Sequence, residues 1–174
     1  EFNIGDISIQ SLTNQENFNI SLKSGFANAT YSGSDFITGF VEKVIRTSVH
    51  RHIPSLLSKR EWSLNVDKNK HYKLDVRILD TKAISELLLP GLKIADRTSL
   101  NATIDENDNL SVTLSSGEIG YKSYNISNLF LKLDSDKEKI ESDIKSTGIN
   151  ISNIILDSNR VVMSASNDTI NIRT

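Results

Sequence analysis

The chain has 174 residues, room for one substantial domain and too little for two comfortable ones. Its net charge of -2, with the charged residues dispersed, excludes the basic stripe of a nucleic-acid binder. With no cysteine there is no disulfide framework, no thiolate metal site and no cysteine nucleophile, and no apolar run approaches the ~20 residues that span a bilayer.

Phe2 to Ile9, Phe18 to Leu22 and Phe26 to Tyr31 read as three short strands, broken at Gly5, Asn14-Gln15-Glu16-Asn17 and Gly25. From Ser34 the apolar spacing turns helical. Phe36, Phe40 and Val44 lie on one line, and Ile37, Val41, Ile45, Val49 and Ile53 on the next. Ser34 or Asp35 is the expected N-cap, and Pro54, which has no N–H, is expected to end or kink the helix. Residues 34–59 thus form a helical insertion, and these eight apolar residues are its candidate lid face. Lys43, Arg46, Arg51, Lys59 and Arg60 outnumber Asp35 and Glu42 there. Such a basic amphipathic helix either lies on a membrane surface or closes over a sheet with its basic face in water; a lone helix beside a one-sided sheet favours the second.

Trp62, Leu64 and Val66 alternate as a strand, and so do Tyr72, Leu74, Val76 and Ile78 after a turn at Asp67-Lys68-Asn69-Lys70. Asp80 is placed to cap two helical turns over Thr81 to Leu88, which Pro90-Gly91 ends. Leu92 and Ile94 make a brief strand. From Thr98 to Thr174 the chain is one strand after another, with apolar residues at every second position and short polar links such as Glu106-Asn107-Asp108-Asn109 and Asp134-Ser135-Asp136-Lys137. Ile140 and Ile144 skip one position, which leaves a helical turn open there. Apolar parity slips near Gly117-Glu118-Ile119 and Asn128-Leu129, where β-bulges are expected. The fold expected is mainly β, a curved antiparallel meander with one long and one short helix, in a single domain over 1–174. A half-wet antiparallel sheet must cover its apolar face.

Chemical signatures are sparse. His50 and His52 point about 160° apart on a helix, and His71 has no companion ligand, so none joins a three- or four-ligand zinc set. Asp105, Glu106 and Asp108 resemble a loose calcium loop but lack the glycine and distal glutamate of an EF-hand; a solvated hairpin is the simpler reading. There is no Gly-x-Ser-x-Gly elbow and no phosphate loop. No cofactor and no catalytic residue is expected, and the chain reads as a non-enzyme.

The run Leu87-Leu88-Leu89-Pro90-Gly91-Leu92-Lys93-Ile94 leads through Thr98-Ser99-Leu100-Asn101-Ala102 to Leu110-Ser111-Val112-Thr113-Leu114. Ile119-Gly120-Tyr121, Ile126-Ser127-Asn128-Leu129 and Asn167-Asp168-Thr169 follow. Together with the stretch ending Ile53-Pro54-Ser55-Leu56, these motifs resemble the central repeats of the TamB family (the translocation and assembly module), within the AsmA-like group of Gram-negative envelopes. The resemblance implies a β-taco or half-pipe in a long periplasmic protein anchored in the inner membrane through a region outside this chain. It also implies a role in phospholipid transport between inner and outer membranes, in outer-membrane protein biogenesis, or in both, with a barrel partner reached through regions outside this chain. The chain starts without Met and stops inside an alternating pattern, as a segment of a longer repetitive protein would.

On that reading, phospholipid acyl chains would contact Leu100, Ala102, Ile104, Leu110, Val112, Leu114, Leu129, Leu131, Leu133, Ile140, Ile144, Ile149 and Ile151. The same residues would equally fill an ordinary core. The rival is a closed β-sandwich or barrel of a surface or envelope protein that recognises glycan or protein. Such modules display exposed aromatics, and the one tryptophan, Trp62, sits in a strand-like alternation.

Overall fold

The computed structural model describes residues 6–14, 17–56, 70–82, 85, 89–152 and 154–174. Its strands are β1 (Ser8–Thr13), β2 (Phe18–Lys23), β3 (Ala27–Gly33), β4 (Tyr72–Ile78), β5 (Leu92–Ile94), β6 (Ser99–Ile104), β7 (Leu110–Tyr121), β8 (Tyr124–Ser135), β9 (Ile140–Ile151), β10 (Ile154–Ser166) and β11 (Thr169–Arg173). All eleven join one open antiparallel sheet in the order β1-β2-β3-β4-β6-β7-β8-β9-β10-β11, with β5 beside β7 beyond the end of β6. Apart from the long links between β3 and β4 and between β4 and β6, short polar turns explain this order, because a hairpin link leaves each strand beside its predecessor.

The first strand is Ser8–Thr13, which shares only Ser8 and Ile9 with the expected Phe2 to Ile9, and residues 1–5 lie outside the described ones. The expected strand at Trp62 to Val66 also lies outside them, as do residues 83, 84 and 86–88 of the expected short helix. Its cap is present: Asp80 Oδ1 accepts the Lys82 N–H at 2.9 Å. Ile140 to Ile144 is strand, paired residue by residue with β8 and β10, so the helical turn is excluded.

No extra residue enters at either expected bulge. Ser116 pairs with Leu129 and Glu118 with Ser127, so β7 and β8 keep one register through Gly117 and Asn128. In β8 and β10 the parity slip has another cause. Gly117, Asn128, Thr147 and Ser158 stand at successive positions of one line across β7 to β10. Asn128 (φ 49°) and Ser158 (φ 53°) adopt left-handed backbone there, and Asn128 Nδ2 donates to Thr147 Oγ1 at 2.9 Å. A left-handed residue breaks the alternation of faces without adding length, and Asn tolerates it better than most residues.

Helix α1 (Ile37–Val44) continues as π-helix over Ile45–His50, and a 3-10 turn follows at Pro54–Leu56. The N-cap is Phe36, with extended backbone and no side-chain cap bond, instead of Ser34 or Asp35. The Asp35 carboxylate is engaged elsewhere, by Lys70 Nζ at 2.8 Å. The helix stops before Pro54, the last bond being Ile53 N–H to the Val49 carbonyl at 2.8 Å.

The core lies between α1 and one end of the sheet. Tyr31, Phe40, Tyr72, Ala102, Ile104 and Leu110 are buried together, flanked by Phe18, Ile20, Ile37, Val44, Leu74, Val112 and Leu133. Phe40 meets the rings of Tyr31 and Tyr72 edge-on, at centroid separations of 6.5 and 6.0 Å. Gly33 makes room for this: a Cβ there would lie 2.6 Å from both Tyr31 Oη and Tyr72 Cδ1. Burial, with Asp35 adding to it, pushes the Tyr31 phenol up to about 12, and its hydroxyl donates to the Asp35 carbonyl at 2.6 Å. Ile104, 1% exposed, sits at the centre. Ile104→Ala is expected to cost about 2–5 kcal/mol in urea unfolding, and the half-buried Leu100→Ala distinctly less.

Candidate functional site: a half-covered apolar face

Three adjacent rows of cross-strand partners build one face of the sheet. The innermost joins Phe18, Gly33, Tyr72, Ile104 and Leu110 to Ser135, Ile140, Ala165 and Ile170. The next joins Ile20, Tyr31, Leu74, Ala102, Val112 and Leu133 to Ser142, Met163 and Ile172. The third runs from Ile9, Leu22, Ala29 and Val76 through Leu100, Leu114 and Leu131 to Ile144 and Val161, apolar in every strand it crosses. Alternation along each strand sets all three rows on the same side.

The helix covers only part of this face. Ala102, Ile104 and Leu110 are sealed beneath it as ordinary core, with Val112 and Leu133 at its margin. In the third row Leu100, Leu114, Leu131 and Ile144 are half-buried and outside the core cluster. Leu129 stands one step further, opposite Ser116.

Of the candidate lid residues, Phe40 is buried, and Ile37 and Val44 pack on the core. Phe36 and Val41 are exposed, and Ile45, Val49 and Ile53 are half-buried. The buried line is instead Phe40, Lys43, Thr47, Ser48 and His52. The change to π geometry at Ile45 shifts which residues face inward, and the ground beneath the second half of the helix is polar.

That ground is the row of hairpin turns at one end of the sheet. Lys43 and Arg51 both pair with Asp108 in the β6–β7 turn. The His52 ring nitrogen Nε2 lies 3.0 Å from the Asp136 carbonyl and 3.2 Å from Ser135 Oγ, at the β8–β9 turn. Ser55 donates to Asp168 in the β10–β11 turn through its backbone N–H at 3.1 Å and its hydroxyl at 2.7 Å. Among the described residues the basic side chains Lys43 and Arg51 are therefore spent on acidic and carbonyl partners, with Arg46 paired to Glu42; Lys59 and Arg60 lie outside them. A basic face left in water was the expectation, and these contacts correct it. The calcium-like loop is a hairpin: Asp105 accepts backbone N–H bonds from Asn107 and Asn109, and Asp108 faces Lys43 and Arg51.

The far end of the long strands carries a second apolar area. Ile94, Ile119, Ile126, Ile149 and Leu156 are successive cross-strand partners, and so, two residues further out, are Leu92, Tyr121, Tyr124, Ile151 and Ile154. Tyr124 is 52% exposed, Ile154 59% and Leu156 45%. Only Ile149 and Ile151 were expected at the site; the parity slip was the signal for the others. The whole chain exposes 11635 Å², against about 8500 Å² for a compact monomer of this mass.

Among the described residues no group of three or more His, Asp or Glu gathers in a metal-binding set, and no helix is long and apolar enough to cross a membrane. No family model, no curated protein and no solved structure matches this chain.

The backbone N–H groups of Lys139 and Glu138, with the Lys139 and His52 charges nearby, hold the Asp136 carboxyl below the usual carboxylate range. A depressed folded-state value stabilises the fold above the ordinary value of about 3.9, and that contribution disappears as pH falls through the depressed one. Thermal melts are expected to show wild type above Asp136→Asn at pH 6, with the gap closing below about pH 4.

Proposed function

We propose that this domain is a non-enzymatic section of a periplasmic apolar track that shelters phospholipid acyl chains on their way between inner and outer membranes. The carrying observation is the third row, apolar from β1 to β10 and only half-covered, together with the exposed rows beyond Asn128. An acyl chain of about 16 carbons costs roughly 13 kcal/mol to bare to water, at ~0.8 kcal/mol per methylene. Continuous apolar surface removes most of that barrier.

Strands spaced about 4.8 Å apart carry the row about 38 Å across the nine strands from β1 to β10. We read the sheet as a curved half-pipe, bent at the Gly117–Ser158 line so that near and far rows face one trough. The likeness to TamB repeats supports the same reading, with outer-membrane protein biogenesis as a second client of the trough and a barrel as the partner elsewhere. A closed sandwich or barrel needs a second sheet or a closed edge, and the described strands form one open sheet.

Photo-crosslinkers at Leu131 and Ile149, with Lys132 and Asn150 as neighbours of opposite parity, test the face in phospholipid vesicles. Labelling of acyl chains is expected from Leu131 and Ile149 alone. Equal labelling from both sets, or none, overturns the proposal. Ile126→Asp is expected to weaken phospholipid binding about tenfold, the equivalent of one lost apolar contact.

A further inference from the structure

The face of the sheet turned away from the helix carries a basic row. Lys23, Asn28, Arg77 and Ser99 are successive cross-strand partners through β2, β3, β4 and β6. Their parity is opposite to that of Leu22, Ala29, Val76 and Leu100 in the third apolar row, so they project from the other side. All four strands lie inside the sheet, with a neighbour on either side.

Charge sets this row apart. Elsewhere on the polar face and its turns cations sit beside acids: Lys73 pairs with Asp75, Lys132 with Asp134 and Lys139 with Glu141, while Lys145 and Arg160 share Asp143. Lys23 and Arg77 have no ion-pair partner among the described residues. Asp75, two residues along β4 from Arg77, is held by Lys73 at 3.3 Å. Two uncompensated cations thus stand two strand spacings apart, about 9.6 Å, with the short amide of Asn28 between them. Both side chains are long enough to reach one anion above it. The surface is hollow beside them: a cavity of 390 Å³ is lined by Asn28, Thr30, Asp75, Arg77, Ser99 and Asn101, among others. Small-molecule sites commonly enclose about 300–1,000 Å³. A guanidinium fork matches a phosphate bidentately, and Asn28 and Ser99 add donors on either side of it. Asp75, Thr30 and Asn101 bring acceptors, which suit hydroxyl groups and not a second phosphate.

We propose that this hollow binds a sugar phosphate, with the phosphate held by Arg77 and Lys23 over Asn28 and the sugar hydroxyls by Asp75, Thr30 and Asn101. A bare phosphate engages only the cationic half of such a site. The site is separate from the acyl-chain track, being on the opposite face, and it stands or falls without it.

Isothermal titration calorimetry of the full chain with glucose 1-phosphate tests this. Wild type is expected to bind it saturably, inorganic phosphate about tenfold more weakly, and glucose not at all. Arg77→Gln and Lys23→Gln are each expected to weaken glucose 1-phosphate about tenfold, the loss of one charge-assisted hydrogen bond. Lys132→Gln, on the same face but paired with Asp134, is expected to bind as wild type does. Lys23 and Arg77 are exposed, so both variants are expected to melt with wild type, which separates a lost site from a lost fold. Wild type that shows no saturable binding overturns the proposal. So does Lys132→Gln that binds as weakly as Arg77→Gln, the outcome of diffuse charge attraction, or inorganic phosphate that binds as tightly as the sugar phosphate.

Discussion

The polar seam under the second half of the helix is the constraint on which the rest of this structure depends. Lys43 is buried, and an ammonium taken from water needs a charged or strongly polar partner. Asp108 supplies one and shares it with Arg51, while Asp136 and Asp168 hold His52 and Ser55. Three successive hairpins thus grip one helix at one end of the sheet. Remove that grip and the amphipathic helix has no unique place along a face that is apolar for its whole width.

Because the seam fixes the helix at the turn end, it also fixes what the helix leaves bare. The aromatic cluster of Tyr31, Phe40 and Tyr72 fills the space directly below it, and Gly33 admits the rings. Beyond that cluster the third row from Leu22 to Val161 is half-buried and outside the core, and past Asn128 Tyr121, Tyr124, Ile151 and Ile154 are exposed. One end of the face is a sealed core and the other a surface in search of a cover. That division suits a domain whose apolar ligand completes its packing.

Much of this was legible in the residues. Strict alternation from Thr98 onward placed β6 to β11 and the face of Leu100, Leu114, Leu131 and Ile144, because period two has no other regular home. Pro54 marked the end of the helix. The parity slip at Asn128 was visible too, but alternation alone does not separate an inserted residue from the left-handed one found there. Pairing register does, and register is a property of two strands. The second half of the lid line failed for a similar reason: helical periodicity assumes 3.6 residues per turn, and the π segment from Ile45 breaks it where Ser48 and His52 turn inward, while Val41 is already exposed within α1. The partners of Arg51, His52 and Ser55 lie 57 to 113 residues away in sequence, so no local pattern announces them.

The proposed acyl-chain track requires the bare part of the face to be open to lipid. Native mass spectrometry of the purified protein, followed by solvent extraction, reads this directly. Phospholipid is expected to leave with the protein and to be lost when Leu131 and Ile149 are both made aspartate. Wild-type protein that carries no lipid, and takes up none from vesicles, contradicts the account.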